Sequence, residues 1–217
     1  MLFDLFSDPL SLIFFVLSLL IAISVHEFSH ALAADMLGDP TPRIDGRLTL
    51  NPLAHLDPIG TIALLIFHIG WGKPVIIDPF NLKNPRKDSA IISLAGPASN
   101  FLTAFLVALL LRIPGVIQIP FILPFSFSLL SLSVALGVFN LLPIPPLDGS
   151  KILIGILPQN IAHDWEQSLN QYGLFILIFL LFPFFGGEPL IGKIIWPVIN
   201  FILSLALPGS LLSLPFS

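Results

Sequence analysis

Apolar residues fall in long blocks along this chain, separated by short polar stretches rich in proline. Residues 10–25 carry no charged side chain, and about 20 apolar residues of helix cross a bilayer core. The block runs on until Gly38-Asp39-Pro40, so a helix is predicted over 9–37. Residues 43–50 alternate loosely between polar and apolar around Asp45-Gly46, which is a hairpin signal. Residues 58–71 are apolar but short for a span, and 72–87 form a polar loop with prolines. A span is predicted over 88–112, broken internally at Ala95-Gly96-Pro97. Pro114, Pro120 and Pro124 make the next stretch irregular. A further span over 125–142 runs into a proline-rich turn ending at Asp148-Gly149. After a short segment at 151–157, residues 161–172 are polar and interfacial. Residues 174–185 and 190–207 are the last apolar segments. No internal repeat is present.

Composition turns this pattern into a class. The chain is 55% hydrophobic and only 10% charged, with a mean hydropathy of +0.97. An ordinary soluble domain carries roughly a quarter charged residues. A soluble bundle with an oversized core is therefore set aside. The expected fold is an all-α polytopic membrane protein with about five spans, a re-entrant segment and a small β-hairpin. The lipid bilayer is its environment, and the net charge of −4 argues against nucleic acid as a partner. The first eight residues lack the basic region of a cleaved signal and carry Asp4 and Asp8, so the first apolar segment is expected to be retained. With no cysteine, any metal must be held by histidine and carboxylate.

Charge also orients the chain. Six of the nine basic residues, Arg43, Arg47, Lys73, Lys83, Arg86 and Lys87, lie between the first helix and the span starting at 88. The positive-inside rule makes those loops cytoplasmic. Residues 58–71 then enter and leave on one face. With Asp148 taken as a metal ligand, the topology returns it to the same side as the end of the first helix. The expected location is a multi-pass protein of the cell membrane, with its site nearer the cytoplasmic face.

The candidate chemistry sits at His26-Glu27-Phe28-Ser29-His30. Helical residues four apart share a face, so His26 and His30 can reach one metal ion. Glu27 points to the adjacent side, where it can take a proton from a water that the metal activates. Charged and imidazole side chains are costly inside a span, which makes them functional candidates. Zinc usually takes a third protein ligand. The candidates are His55, His68, His163, Asp148, Glu188 and the loop aspartates. Asp148 stands out, because it follows a span in irregular backbone that is tolerated at that depth only when buried in protein or lining a cavity.

These residues carry a resemblance. The pentapeptide, together with Asn140-Leu141-Leu142-Pro143 and Leu147-Asp148-Gly149 in a later span, resembles the site-2 protease family of intramembrane zinc metalloproteases. Gly38-Asp39-Pro40, the stretch from Gly46 to Gly60 and Ala95-Gly96-Pro97-Ala98-Ser99-Asn100 are similar to a compact prokaryotic branch of it. The resemblance implies one zinc ion per chain on His26, His30 and Asp148. It implies Glu27 as general base, and Asn140 holding the substrate backbone or the developing oxyanion. It also implies a transmembrane protein substrate, cut in or near its spanning segment. The chain is read as one membrane-embedded domain over 1–217, with a catalytic core at about 9–157 and C-terminal spans within 173–208. The compact length leaves no room for a PDZ-like domain or a span before the first helix. Association of the chain with itself is left open. The segment 43–50 could offer an edge to an unwound substrate by strand addition.

Blander roles stand beside these. His26 and His30 could hydrogen-bond across a bundle. Asp148 could cap the segment at Lys151 or pair with it. Asn140 could bridge helices, and His55 fits a structural role in a turn. His68 and His163 receive no metal role. Arg112 and Lys193 read as interface anchors. The functional alternative is a transporter relaying ions through buried His, Glu and Asp. Such proteins usually show paired halves, and none is visible here.

Overall fold

The computed structural model describes residues 8–60, 63, 70–183, 187 and 189–207. Among these residues the secondary structure is helical, with no strand. Helix α1 is Pro9–Leu37 and α2 is the single turn Thr41–Ile44. Helix α3 is Pro85–Leu110, α4 is Ile122–Asn140 and α5 is Asp148–Ile156. Helices α6, Gln159–Leu181, and α7, Leu190–Ala206, follow.

Local chemistry sets the ends of α1. Asp8 accepts a hydrogen bond from Leu10 N–H, and Pro9 occupies the first turn, where a missing donor costs nothing. Gly38 stops the helix in the left-handed region at φ 106°, its N–H turned back to Ala34 and Asp35 carbonyls. Helices α1, α3 and α4 are long and apolar enough to cross a membrane. They pack on one another, and α5 packs against α3. Ala104, Val107 and Ala108 of α3 meet Leu130 and Val134 of α4, with Ile199 of α7 closing this core. A second cluster joins Leu147, Leu177 and Ile191, which ties α6 and α7 to the turn before Asp148.

Two expectations change. The hairpin at 43–50 does not form. Asp45-Gly46 does turn the chain, with Gly46 at φ 68°, but the residues before it close the helical turn α2 and Arg47 is drawn inward to cap backbone carbonyls. Among the described residues there is no strand for 43–50 to pair with. In addition, 161–172 and the apolar segment after it are one helix, α6, whose polar first half continues unbroken into its apolar half. Most of 58–71 lies outside the described residues, and so does its expected re-entrant path. Its flanks do meet: Leu56 and Gly72 form an isolated antiparallel bridge.

Candidate active site

Two distant parts of the chain bring three ligand atoms to one point. His26 and His30 lie one turn apart on α1, their rings edge to face with centroids 4.6 Å apart. Their Nε2 atoms are 3.0 Å apart. Asp148 Oδ2, at the start of α5, is 3.2 Å from each. The histidines are only 5% and 7% exposed.

Glycines set these approaches. A Cβ at Gly96 of α3 would lie 2.6 Å from Cε1 of both His26 and His30. The expected break at Ala95-Gly96-Pro97 does not form, since α3 runs unbroken through it; the missing Cβ of Gly96 is instead the recess that admits the imidazoles. A Cβ at Gly149 would collide with the carbonyls of Leu141 and Leu142. Glycine therefore lets α5 begin against the end of α4, which places Asp148 opposite α1.

The rings are held from behind by α3. His30 Nδ1 donates to Ile92 O at 2.7 Å. A carbonyl only accepts, so Nδ1 carries the proton and Nε2 presents its lone pair. Pro97 has no N–H for the carbonyl four residues back, and the opened ladder lies beside this contact. His26 Nδ1 lies 3.0 Å from Asn100 Nδ2, also on α3. Ser29 Oγ donates to Val25 O, and Ser99 Oγ to Gly96 O, both at 2.7 Å. Each imidazole thus faces its neighbouring helix with one nitrogen and the shared point with the other.

The donor set fits a metal. Asp148 Oδ2 is buried and has no hydrogen bond, although two ring nitrogens lie close by. Tetrahedral zinc with N and O ligands spaces its ligand atoms about 3.3–3.5 Å apart. The observed 3.0 and 3.2 Å lie a few tenths below that. Histidine and carboxylate suit zinc chemically. Of the other third-ligand candidates, His68 and Glu188 lie outside the described residues. His55 is fully buried elsewhere, with Nε2 donating to Thr49 O at 2.8 Å. Asp148 does not cap α5, whose preceding residue is Leu147 and which has no side-chain cap.

Glu27, Asn140 and Lys151 open with the three ligands onto a cleft of about 130 Å³. Asn140 Nδ2 donates to Leu136 O at 3.0 Å, within its own helix rather than across the bundle. The facing wall is not 43–50 but an irregular extended run that includes Pro74, Val75 and Ile77.

Both ends of that wall are clamped by buried charged residues, Arg47 and Asp39, whose sequence context gave them no place at the site. Upstream, Lys73 N–H donates to His55 O at 2.8 Å, and Arg47, 4% exposed, donates to Ala54 O and to Lys73 O. Downstream, the fully buried Asp39 accepts from Asp78 N–H at 2.8 Å, Asn81 Nδ2 at 2.9 Å and Thr41 Oγ1 at 2.6 Å. Burial pushes the Asp39 carboxyl up, but these donors outweigh it and hold the group below its ordinary value. A charged residue between Gly38 and Pro40 was the available signal for the downstream clamp.

Comparison with known proteins gives a consistent picture. The family model described as Peptidase family M50 matches residues 113–183. The chain is 37% identical over 200 residues to the Bacillus subtilis protein named "Putative zinc metalloprotease YwhC", covering 88% of this chain and 89% of that one. It is 33% identical over 181 residues to Rip2 of Mycolicibacterium smegmatis, named in the same terms, covering 75% and 64%. It is 30% identical over 162 residues to stage IV sporulation protein FB of Bacillus subtilis, covering 71% and 54%. No solved structure matches significantly.

Proposed function

The chain belongs to peptidase family M50, the site-2 proteases, and from that premise we propose that it is an intramembrane zinc endopeptidase that cuts the spanning segments of other membrane proteins. The observation that carries the reading is the convergence of His26 Nε2, His30 Nε2 and Asp148 Oδ2 within 3.2 Å inside a bundle of apolar helices.

His26, His30 and Asp148 hold the zinc. When bound, zinc polarises the scissile carbonyl and lowers the pKa of its water toward about 7. Glu27, on the cleft side of the same turn, takes the proton of the attacking water and returns it to the leaving amine. Asn140 lines the cleft and, by turning from its own helix, offers an amide donor to the developing oxyanion, where low dielectric strengthens such a bond. The apolar surroundings limit water to the cleft. The substrate helix unwinds locally to expose its carbonyl, since a helical carbonyl is already bonded.

The chain forms one membrane domain, with its core at about 9–157 and further spans within 173–208. Helix α7 has 17 residues, about 26 Å of helix, close to a bilayer core. Counted with α1, α3, α4 and the apolar half of α6, it brings the number of spans to about five. The six basic residues within 43–87 support a cytoplasmic face for the cleft.

The test compares the wild-type chain with Glu27→Gln on model transmembrane substrates in liposomes, with bound zinc counted in both. Cleavage by wild type, a loss of at least about a thousandfold in Glu27→Gln and equal zinc content are expected. Equal cleavage by the variant would remove Glu27 from the chemistry. A wild-type chain that takes up no zinc would overturn the whole reading.

A further inference from the structure

Asn100, which backs His26 from α3, is fully buried and lies in the middle of that helix. Its Nδ2 faces His26 Nδ1 at 3.0 Å, while its Oδ1 is buried without a hydrogen-bond partner. An amide oriented this way makes Nδ1 the acceptor, which leaves the proton of a neutral imidazole on Nε2. That proton would point at His30 Nε2, 3.0 Å away. His26 in this tautomer cannot offer Nε2 to a metal.

A half-turn of the amide exchanges its oxygen and nitrogen with almost no change of shape. Oδ1 then accepts from His26 Nδ1–H, and the lone pair appears on Nε2. His30 already stands in that form, with Nδ1–H on Ile92 O. We infer that Asn100 is the positioning residue of the metal site: by presenting Oδ1 to His26 Nδ1–H it fixes the tautomer and ring plane in which His26 is a ligand. This rests on the zinc reading above and deepens it. The two histidines are then backed by α3 through two kinds of carbonyl, one from the backbone at Ile92 and one from a side chain at Asn100. A partner behind a ligating imidazole orients the ring and raises its basicity, and its loss typically weakens metal binding 10- to 100-fold.

Zinc affinity is read by chelator competition on the full chain in detergent, with melting temperatures of the metal-free and zinc-loaded forms. Asn100→Leu keeps the approximate volume and removes the acceptor. It is expected to bind zinc 10- to 100-fold more weakly and to lose more melting temperature in the zinc-loaded form than in the metal-free one. Asn100→Asp keeps an acceptor facing Nδ1 and is expected to bind at least as tightly as wild type. If Asn100→Leu does not fold, Asn100→Ala carries the same expectation. Affinity within twofold of wild type in the apolar variant would overturn the proposal and leave the zinc site standing. Equal weakening in Asn100→Asp would show that the amide donates rather than accepts, and overturns it too. A purely structural role would lower both melting temperatures alike with affinity unchanged, which also overturns it. Wild type without zinc would fail one level higher, at the metalloprotease reading itself.

Discussion

The spacing of His26 and His30 is enough to put two imidazoles on one face, because four residues make just over one helical turn. Asp148 is readable as well, since a carboxylate after a span in broken backbone has few inexpensive places to be. Gly96 is different. A kink or close approach is all that Gly-Pro within a span announces, and only the packed helices reveal that the missing Cβ is the space occupied by the imidazoles. Asn100 was legible as the end of a family-like motif inside a span, but its contact was not, because the ring it meets lies 74 positions away. The Gly96 recess yields a sharp expectation. Gly96→Ala should raise local helix propensity by about 1 kcal/mol while weakening zinc binding by roughly a hundredfold or more. Circular dichroism with zinc analysis checks this, and a zinc-replete Gly96→Ala chain would show that α1 and α3 can separate without harm.

At the scale of elements, the long helices were plain from hydropathy, and α1 falls on its predicted range because both of its stops are local: Asp8-Pro9 and Gly38. The hairpin failed because a turn signal is local whereas a strand needs an edge to pair with. Arg47 instead turns inward and, with the carbonyl of His55, holds the upstream end of the cleft wall. A charged residue at 39 is visible along the chain, but its partner is not, since Asp39 and Asp78 lie 39 positions apart. The downstream clamp has a pH signature. The folded carboxyl of Asp39 lies below its ordinary value of about 3.9. Its contribution to stability is therefore complete above that value and is lost as pH falls through the lower folded value. Asp39→Asn should cost about 1–3 kcal/mol at pH 7. The difference in melting temperature from wild type should shrink as pH drops below about 4. Thermal melts across pH 3–7 check it, and a pH-independent difference would assign the loss to packing.

For the molecule as a whole, composition alone placed the chain in the membrane. The side on which its cleft opens rests on six basic residues and is open to a direct test. The chain has no cysteine, so one introduced thiol is an unambiguous label. Ile44 is 78% exposed, in the turn beyond α1. In right-side-out vesicles, Ile44→Cys should resist a membrane-impermeant maleimide, and in inverted vesicles it should react fully. The reverse pattern would place the cleft on the outer face. Loop charge makes such orientation accessible from sequence. The joining of α6 and α7 to the turn before Asp148 is not accessible that way, because Leu147, Leu177 and Ile191 are ordinary apolar residues in a chain full of them.

On the proposed ligand set, the position of Asp148 also has a consequence in time. His30 and Asp148 are 118 positions apart. At roughly 5–20 residues per second, a ribosome therefore makes the base and both imidazoles some 6–24 seconds before it makes the carboxylate. During that interval the emerging chain, surrounded by other newly inserted helices, holds an incomplete site. The proposed ligand set is complete only when the turn after α4 docks against α1, so the order of synthesis leaves the nascent chain without its third metal-binding group until then.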